Sequence, residues 1–107
     1  MNRKQFINLF NQIKNAWGYN KEIIVIFPSR KAIDLSGCWA VAYTAERYKR
    51  THDILFVNGI LLQYSLDHII DVIEHELIHF ITNRRDNDVI FDLICKINDI
   101  PINEEDE

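Results

Sequence analysis

Residues 65–82 read SLDHIIDVIEHELIHFIT, and this stretch decides how the rest of the 107-residue chain must fold. Ser65 is suited to cap a helix and Asp67 to meet the helix dipole in its first turn, so a helix is predicted to about Thr82. Apolar residues occur on nearly every side of it; they are Ile69, Ile70, Val72, Ile73, Leu77, Ile78, Phe80 and Ile81. A helix without a wide polar face must be covered on several sides, so this one is predicted to be central to the fold.

The remaining segments predict the elements that cover this helix. Apolar residues at three- and four-residue spacing indicate helix, and β-branched runs indicate strands. The predicted elements are a helix over 3–17, strands over 22–27, 37–46 and 53–58, and a last helix over 87–99 that Pro101 ends. The turn at 47–51 is short, which favours antiparallel pairing of the second and third strands. The chain is therefore predicted to be a single α+β domain over 1–107, with a frayed tail at 103–107.

The composition favours an ordered globular protein and limits its partners. The chain is 48% hydrophobic and 26% charged, and its net charge is −4. A negative balance argues against unaided binding to nucleic acid, because that affinity comes mostly from Lys and Arg. No apolar run approaches membrane-spanning length. Cys38 and Cys95 stand in a chain without a recognisable export signal, so we expect two reduced thiols and a cytoplasmic location.

The predicted central helix contains His75-Glu76-Leu77-Ile78-His79. Residues four apart share one side of a helix, so His75 and His79 can both face one cation, and Glu76 lies beside them. Zinc binds imidazole nitrogen readily and, when one coordination position stays open, lowers the pKa of a bound water toward neutrality. Glu76 would then act as the general base as that water attacks a peptide carbonyl. The motif predicts a zinc site at His75 and His79 with Glu76 as the catalytic residue.

Burial of these three residues separates this hypothesis from a simpler alternative. Histidine and glutamate in an apolar helix each cost free energy unless they are paired. A metal ion is the simplest partner that all three can share. The alternative is a polar cluster in the core, satisfied by hydrogen bonds alone.

The sequence resembles the SprT-like family of zincin metallopeptidases. The resemblance is carried by GCWA at 37–40, ILFVN at 54–58 and VIEHELIHF at 72–80. It implies a zinc-dependent peptidase with an N-terminal helix, a small mixed sheet, a buried active-site helix and a C-terminal backing helix. It also implies that the strand over 40–45 pairs with an extended polypeptide substrate. Ordinary hairpin packing is the alternative for that strand.

The third metal ligand departs from the family pattern. SprT-like proteins usually carry a histidine ahead of the last helix, whereas Asn87 takes that place here, so Asp86 or Asp88 must substitute if the site is complete. Miniature gluzincins, which this chain also resembles, take an acidic ligand from a Glu-x-x-x-Asp arrangement. By that resemblance Asp88 is the third ligand and Asp92 orients His75. The alternatives are an incomplete site, or a solvent-facing polar stripe made of Asp88, Asp92, Lys96 and Asp99.

Three further side chains are weaker candidates for the site. His68 lies seven residues before His75 and is expected to face roughly the same way, and Tyr43 or Tyr64 could donate to an oxyanion. Surface or core positions are the alternative for each. The acidic tail at 103–107 could fold back onto the metal and keep the enzyme latent. The competing functions are a catalytically inactive zincin that binds metal, or a DNA-associated protease of the SprT-like group, against which the negative charge counts.

Overall fold

The fold combines helices and strands in a computed structural model that describes residues 1–49, 51–84, 88–98 and 100. Four α-helices and three strands lie within those residues. The helices are α1 (Arg3–Ala16), α2 (Ala45–Tyr48), α3 (Leu66–Thr82) and α4 (Val89–Ile97). The strands are β1 (Ile23–Ile26), β2 (Ala40–Tyr43) and β3 (Asp53–Val57), and a 3₁₀ turn over Gly59–Gln63 leads into α3. The predicted α+β class is confirmed.

The three strands form one mixed sheet in the order β1-β3-β2. β1 runs parallel to the central strand β3, with Ile23 opposite Asp53. β2 runs antiparallel to β3, with Ala40 opposite Val57. The predicted antiparallel pairing of the second and third strands is confirmed, and both β1 and β2 are edge strands.

One side of the sheet packs against α1 and α3 and contains the core. Leu55 and Val57 of β3 point to this side, and their partners on β2 are Ala42 and Ala40. Because the β2 side chains here are small, α3 packs closely along this strand. The buried core residues are Phe6, Phe10, Ile23, Ala40, Leu55, Val57, Leu61, Ile69, Val72, Ile73, Leu77 and Phe80. The prediction that α3 is central to the fold is confirmed.

Several predicted boundaries are wrong, each because a polar side chain caps a short helix. The strand predicted over 37–46 ends at Tyr43, because the Thr44 hydroxyl accepts a hydrogen bond from the Arg47 N–H at 3.3 Å and starts α2. The strand predicted to reach residue 58 ends at Val57, because the Asn58 side chain caps the 3₁₀ turn. The last helix begins at Val89, not 87.

Some of the sequence predictions concern residues outside the described ranges. Asp86, Asn87, Asp99 and the tail at 103–107 lie outside the described residues. Within the described ranges, none of the helices combines the length and the hydropathy needed to cross a bilayer.

A buried hydrogen bond ties the segment after α1 to the sheet. The Tyr19 hydroxyl donates to Asp53 Oδ2 at 2.6 Å, and Asp53 Oδ1 accepts from the Ala45 N–H at 2.7 Å. Asp53 is 6% exposed, so these contacts replace the water it loses. One carboxylate thus joins the segment after α1, β3 and the start of α2. Burial raises the pKa of Tyr19, and the hydrogen bond and the charge of Asp53 raise it further.

Replacing Tyr19 by Phe should lower the free energy of unfolding by about 1 to 2 kcal/mol, because buried Asp53 loses a donor. The pKa of Tyr19 is raised in the folded state, so its contribution is complete below the ordinary tyrosine pKa of about 10 and is lost as pH rises above it. Urea unfolding at neutral and alkaline pH measures both effects. As pH rises above about 10, the free energy of unfolding should fall less in the variant than in the wild type. The exposed Tyr64→Phe is the matched control; equal losses in both variants would contradict the account.

Candidate metal centre

Hydrogen bonds fix both ends of helix α3, which carries the candidate metal ligands. Ser65 caps its start by accepting from the His68 N–H at 3.3 Å. At its other end Asn83 adopts a left-handed conformation with φ 54° and donates its N–H to the His79 carbonyl at 2.9 Å. The Thr44 hydroxyl donates to the side-chain oxygen of Asn83, and the Arg47 guanidinium donates to the Asn83 carbonyl. Both distances are 2.6 Å. The position of α3 is therefore set against β2 and α2.

His75, Glu76 and His79 are brought together inside the fold. They are 1%, 1% and 9% exposed. One ligand atom from each lies within 4.8 Å of the others, and the two imidazole rings are 5.0 Å apart at a steep angle. Among the residues that the structure describes, this is the group of histidine, cysteine and acidic side chains close enough to hold a metal ion.

A main-chain carbonyl orients the second imidazole. His79 Nδ1 lies 2.7 Å from the Arg84 carbonyl oxygen. Because a carbonyl only accepts, Nδ1 carries the proton and Nε2 keeps its lone pair for a metal. The left-handed turn at Asn83 brings this carbonyl back toward the helix. Sequence reasoning missed the contact, although an Asn directly after a helix is a known signal for such a turn.

Two further acidic residues of α3 lie close in sequence to the three groups. Burial raises the pKa of Glu74, and the charge of the neighbouring Asp71 raises it further. Both residues belong to α3, close in sequence to His75. Two imidazole nitrogens with a carboxylate beside them are groups found around zinc and other divalent ions. His75, Glu76 and His79 could therefore hold a metal ion.

Asp88, the predicted third ligand, lies outside this group. Both of its carboxylate oxygens are 3.2 Å from Arg84 Nη1, and Oδ1 also accepts from the Ile90 N–H at 2.9 Å. Asp88 therefore caps the start of α4 and pairs with Arg84. Its role as a metal ligand stays a prediction, and it requires the carboxylate to give up the Arg84 contact. Asp86, the other acidic candidate at this position, lies outside the described residues.

Asp92 is turned toward the inside of the molecule. Its Oδ1 is buried, and no residue in the described part of the chain makes a hydrogen bond to it. Cys95, one turn further along the same side of α4, is fully buried and packs with Ile78 of α3. Asp92 lies outside the group of His75, Glu76 and His79, and its role in orienting His75 stays a prediction.

The polar stripe on α4 is partly exposed. Lys96 is exposed, as the solvent-facing interpretation expects, but the apolar Val89 and Ile97 are also 81% and 73% exposed. Asp88 and Asp92 are half-buried. The packing of Cys95 against α3 sets this orientation, since it rotates the neighbouring acidic residues inward with it.

The remaining candidates lie away from His75 and His79. His68 and Tyr64 pack with Trp39, at ring distances of 4.9 and 4.5 Å, near the start of α3. Tyr43 packs against Phe56, 5.1 Å away, on the side of the sheet opposite the buried Leu55. The structure therefore does not bring these three side chains to His75, and an oxyanion role for either tyrosine has no geometric support.

Comparison of the chain with protein-family models, with curated proteins and with solved structures gives no significant match. The resemblance to the SprT-like family thus depends on the residues of this chain alone.

Replacing Asp92 by Asn should leave the metal-free protein at least as stable as the wild type but should weaken its binding of zinc. Without metal, removing a charge that lies partly out of water should leave the melting temperature unchanged or raise it. With zinc, if Asp92 orients His75 as predicted, losing its charge should weaken zinc affinity by about 10- to 100-fold. Thermal unfolding and competition with a zinc chelator measure the two quantities.

The exposed Asp67→Asn is the matched control for this experiment and should leave zinc affinity unchanged. Equal zinc affinity in the wild type and in Asp92→Asn would show that Asp92 does not serve the metal site.

Proposed function

We propose that this chain is a zinc-dependent metallopeptidase of the zincin type, similar to the SprT-like family. The observation that carries the proposal is the buried group of His75, Glu76 and His79, whose ligand atoms lie within 4.8 Å of one another on one helix. His75 and His79 would hold the zinc ion, and Asp88, which precedes α4, or Asp92 within it would supply the acidic contact. Zinc, when bound, polarises the peptide carbonyl and lowers the pKa of water at the site.

The chain's own residues perform the proton transfers. Glu76 accepts the proton of the attacking water and later passes it to the leaving amine nitrogen, which balances the hydrolysis. The Arg84 carbonyl holds the His79 ring with its proton on Nδ1. The apolar core around α3 keeps other water away, which strengthens each electrostatic contact within the site.

An unpaired strand edge supports a polypeptide substrate. The Asn58 N–H donates to the Trp39 carbonyl at 2.8 Å, so the main-chain groups of Trp39 and of every second residue after it point toward β3. The N–H and C=O groups of Ala40 and Ala42 then point the other way. No strand in the described ranges pairs with that edge. An extended peptide can therefore add to β2 by main-chain hydrogen bonds.

The direction of β2 brings such a peptide to the metal-binding pair. Trp39, before the strand, contacts His68 near the start of α3, and Thr44, after it, contacts Asn83 at the end. The strand and the helix thus run side by side in the same direction. His75 and His79 lie between those two contacts along α3, so a peptide paired with β2 would run alongside the part of the helix that carries them.

A non-catalytic metal-binding protein is the second candidate. It is favoured by Asp88, which binds Arg84 and the start of α4 instead of joining the two histidines. It is opposed by Glu76, since a purely structural site has no need of a base.

Replacing Glu76 by Gln should separate the two candidates. The variant should retain about one zinc ion per chain but lose peptidase activity by about 10²- to 10⁴-fold, because the base is gone and the ligands are not. His79→Ala should lose the zinc itself. Metal analysis after dialysis and cleavage of unfolded casein measure these outcomes.

The exposed His52→Ala should behave as the wild type in both assays. If wild type and Glu76→Gln both hold zinc and neither cleaves casein, the chain is a metal-binding protein and not a peptidase.

Proline substitutions test whether substrate pairs with β2. Ala42→Pro removes an N–H from the open edge and should lower casein cleavage by about tenfold per folded molecule, with the folded fraction measured by circular dichroism because the proline ring adds volume beside α3. Val41→Pro removes an N–H that points to β3, and should destabilise the fold by about 3 kcal/mol. Full activity in a folded Ala42→Pro protein would contradict pairing at this edge.

A further inference from the structure

A cleft of about 570 Å³ opens between the loop that joins β1 to β2 and the 3₁₀ turn before α3. Its volume lies within the usual range of ligand pockets, about 300–1,000 Å³. Leu35, Trp39, Ile60 and Tyr64 supply apolar surface to it. Ile60 and Tyr64 are 46% and 45% exposed. The described residues therefore leave apolar surface in this cleft open to a ligand.

The charged residues of the cleft neutralise one another. Asp34 Oδ1 accepts from the N–H and the hydroxyl of Ser36 at 2.9 and 2.6 Å. Arg30 donates to the Ser36 hydroxyl at 3.1 Å, and its Nε lies 4.0 Å from Asp34. Among the lining residues, Arg30 is the cation and Asp34 the anion. With these charges balanced at the rim, the cleft favours an uncharged apolar group.

Two of the lining rings suit an aromatic ligand. Trp39 and Tyr64 meet edge to face at 4.5 Å. A third aromatic ring can join such a pair at the same spacing, with a gain beyond the apolar area that it buries.

The cleft lies along the path of a peptide paired with β2. Trp39 directly precedes β2, and it contacts His68, which is seven residues before His75. Seven helical residues advance about 10 Å. An extended strand covers that distance in about three residues. A peptide bond held beside His75 therefore places a side chain about three residues away at the cleft.

We infer that this cleft is a specificity subsite that selects substrates with an aromatic or large aliphatic residue about three residues C-terminal to the cleaved bond. The inference depends on the proposed peptidase function. The C-terminal side follows from antiparallel addition, which gives slightly more stable pairing than parallel addition. Trp39 stands at the beginning of β2, and the beginning of a strand meets the C-terminal end of an antiparallel partner.

The test compares the cleavage sites of the zinc-loaded wild type with those of Ile60→Ala. Unfolded casein is digested and the products are sequenced by mass spectrometry. The wild type should cut where the third residue after the bond is aromatic or large and aliphatic, and Ile60→Ala should reduce that preference by about tenfold in kcat/KM. Ile24→Ala, on the opposite edge strand, is the matched control and should keep the preference. No enrichment at that position, or equal enrichment in Ile60→Ala, would overturn the inference.

A binding measurement keeps the cleft testable if no cleavage occurs. A set of Ala-Ser peptides, each with one Phe or with none, is titrated against zinc-loaded Glu76→Gln by fluorescence anisotropy. Peptides with Phe should bind about tenfold more tightly than the peptide without it, and Ile60→Ala in the same background should remove the difference. If no cleavage occurs but the binding difference is present, the peptidase function is rejected and the cleft is retained as a peptide site. Absence of the binding difference would reject the cleft.

Discussion

Two imidazoles and a carboxylate on a helix inside the core are the constraint on which the rest of the molecule depends. Polar groups withdrawn from water are costly unless they bind a partner, and His75 and Glu76 are almost fully withdrawn. One cation can satisfy both imidazoles and the carboxylate together. The surrounding fold is arranged to hold these groups still, with small alanines on β2 that let α3 approach and a left-handed Asn83 that returns a carbonyl to His79.

Much of the fold could be predicted because it follows from local patterns. The nearly continuous apolar sequence behind Ser65 predicts a buried helix, and β-branched runs predict the three strands. The orientation of α4 could not be predicted in the same way. Its apolar stripe and its acidic stripe are both regular, and the packing of Cys95 against α3 turns the acidic one inward while Val89 faces solvent. Helix α2 was missed because Thr44 caps a helix of four residues directly after a strand.

The site could be predicted to the extent that helical spacing determines it. His75 and His79 share one side of α3 because they are four residues apart, and Glu76 follows from its place between them. The carbonyl of Arg84 depends on a turn conformation, and the contacts of Asp88 depend on where α4 begins. Both are consequences of tertiary structure. Sequence spacing alone therefore does not specify whether a carboxylate at or near α4 approaches the two histidines.

The coordination of zinc tests the central claim most directly. X-ray absorption at the zinc edge of the loaded protein measures the kind and the number of atoms around the ion. The account predicts two imidazole nitrogens at about 2.0–2.1 Å and carboxylate oxygen in the remaining shell, with about one zinc ion per chain. A zinc shell without imidazole, or a protein that retains no zinc after dialysis, would contradict it.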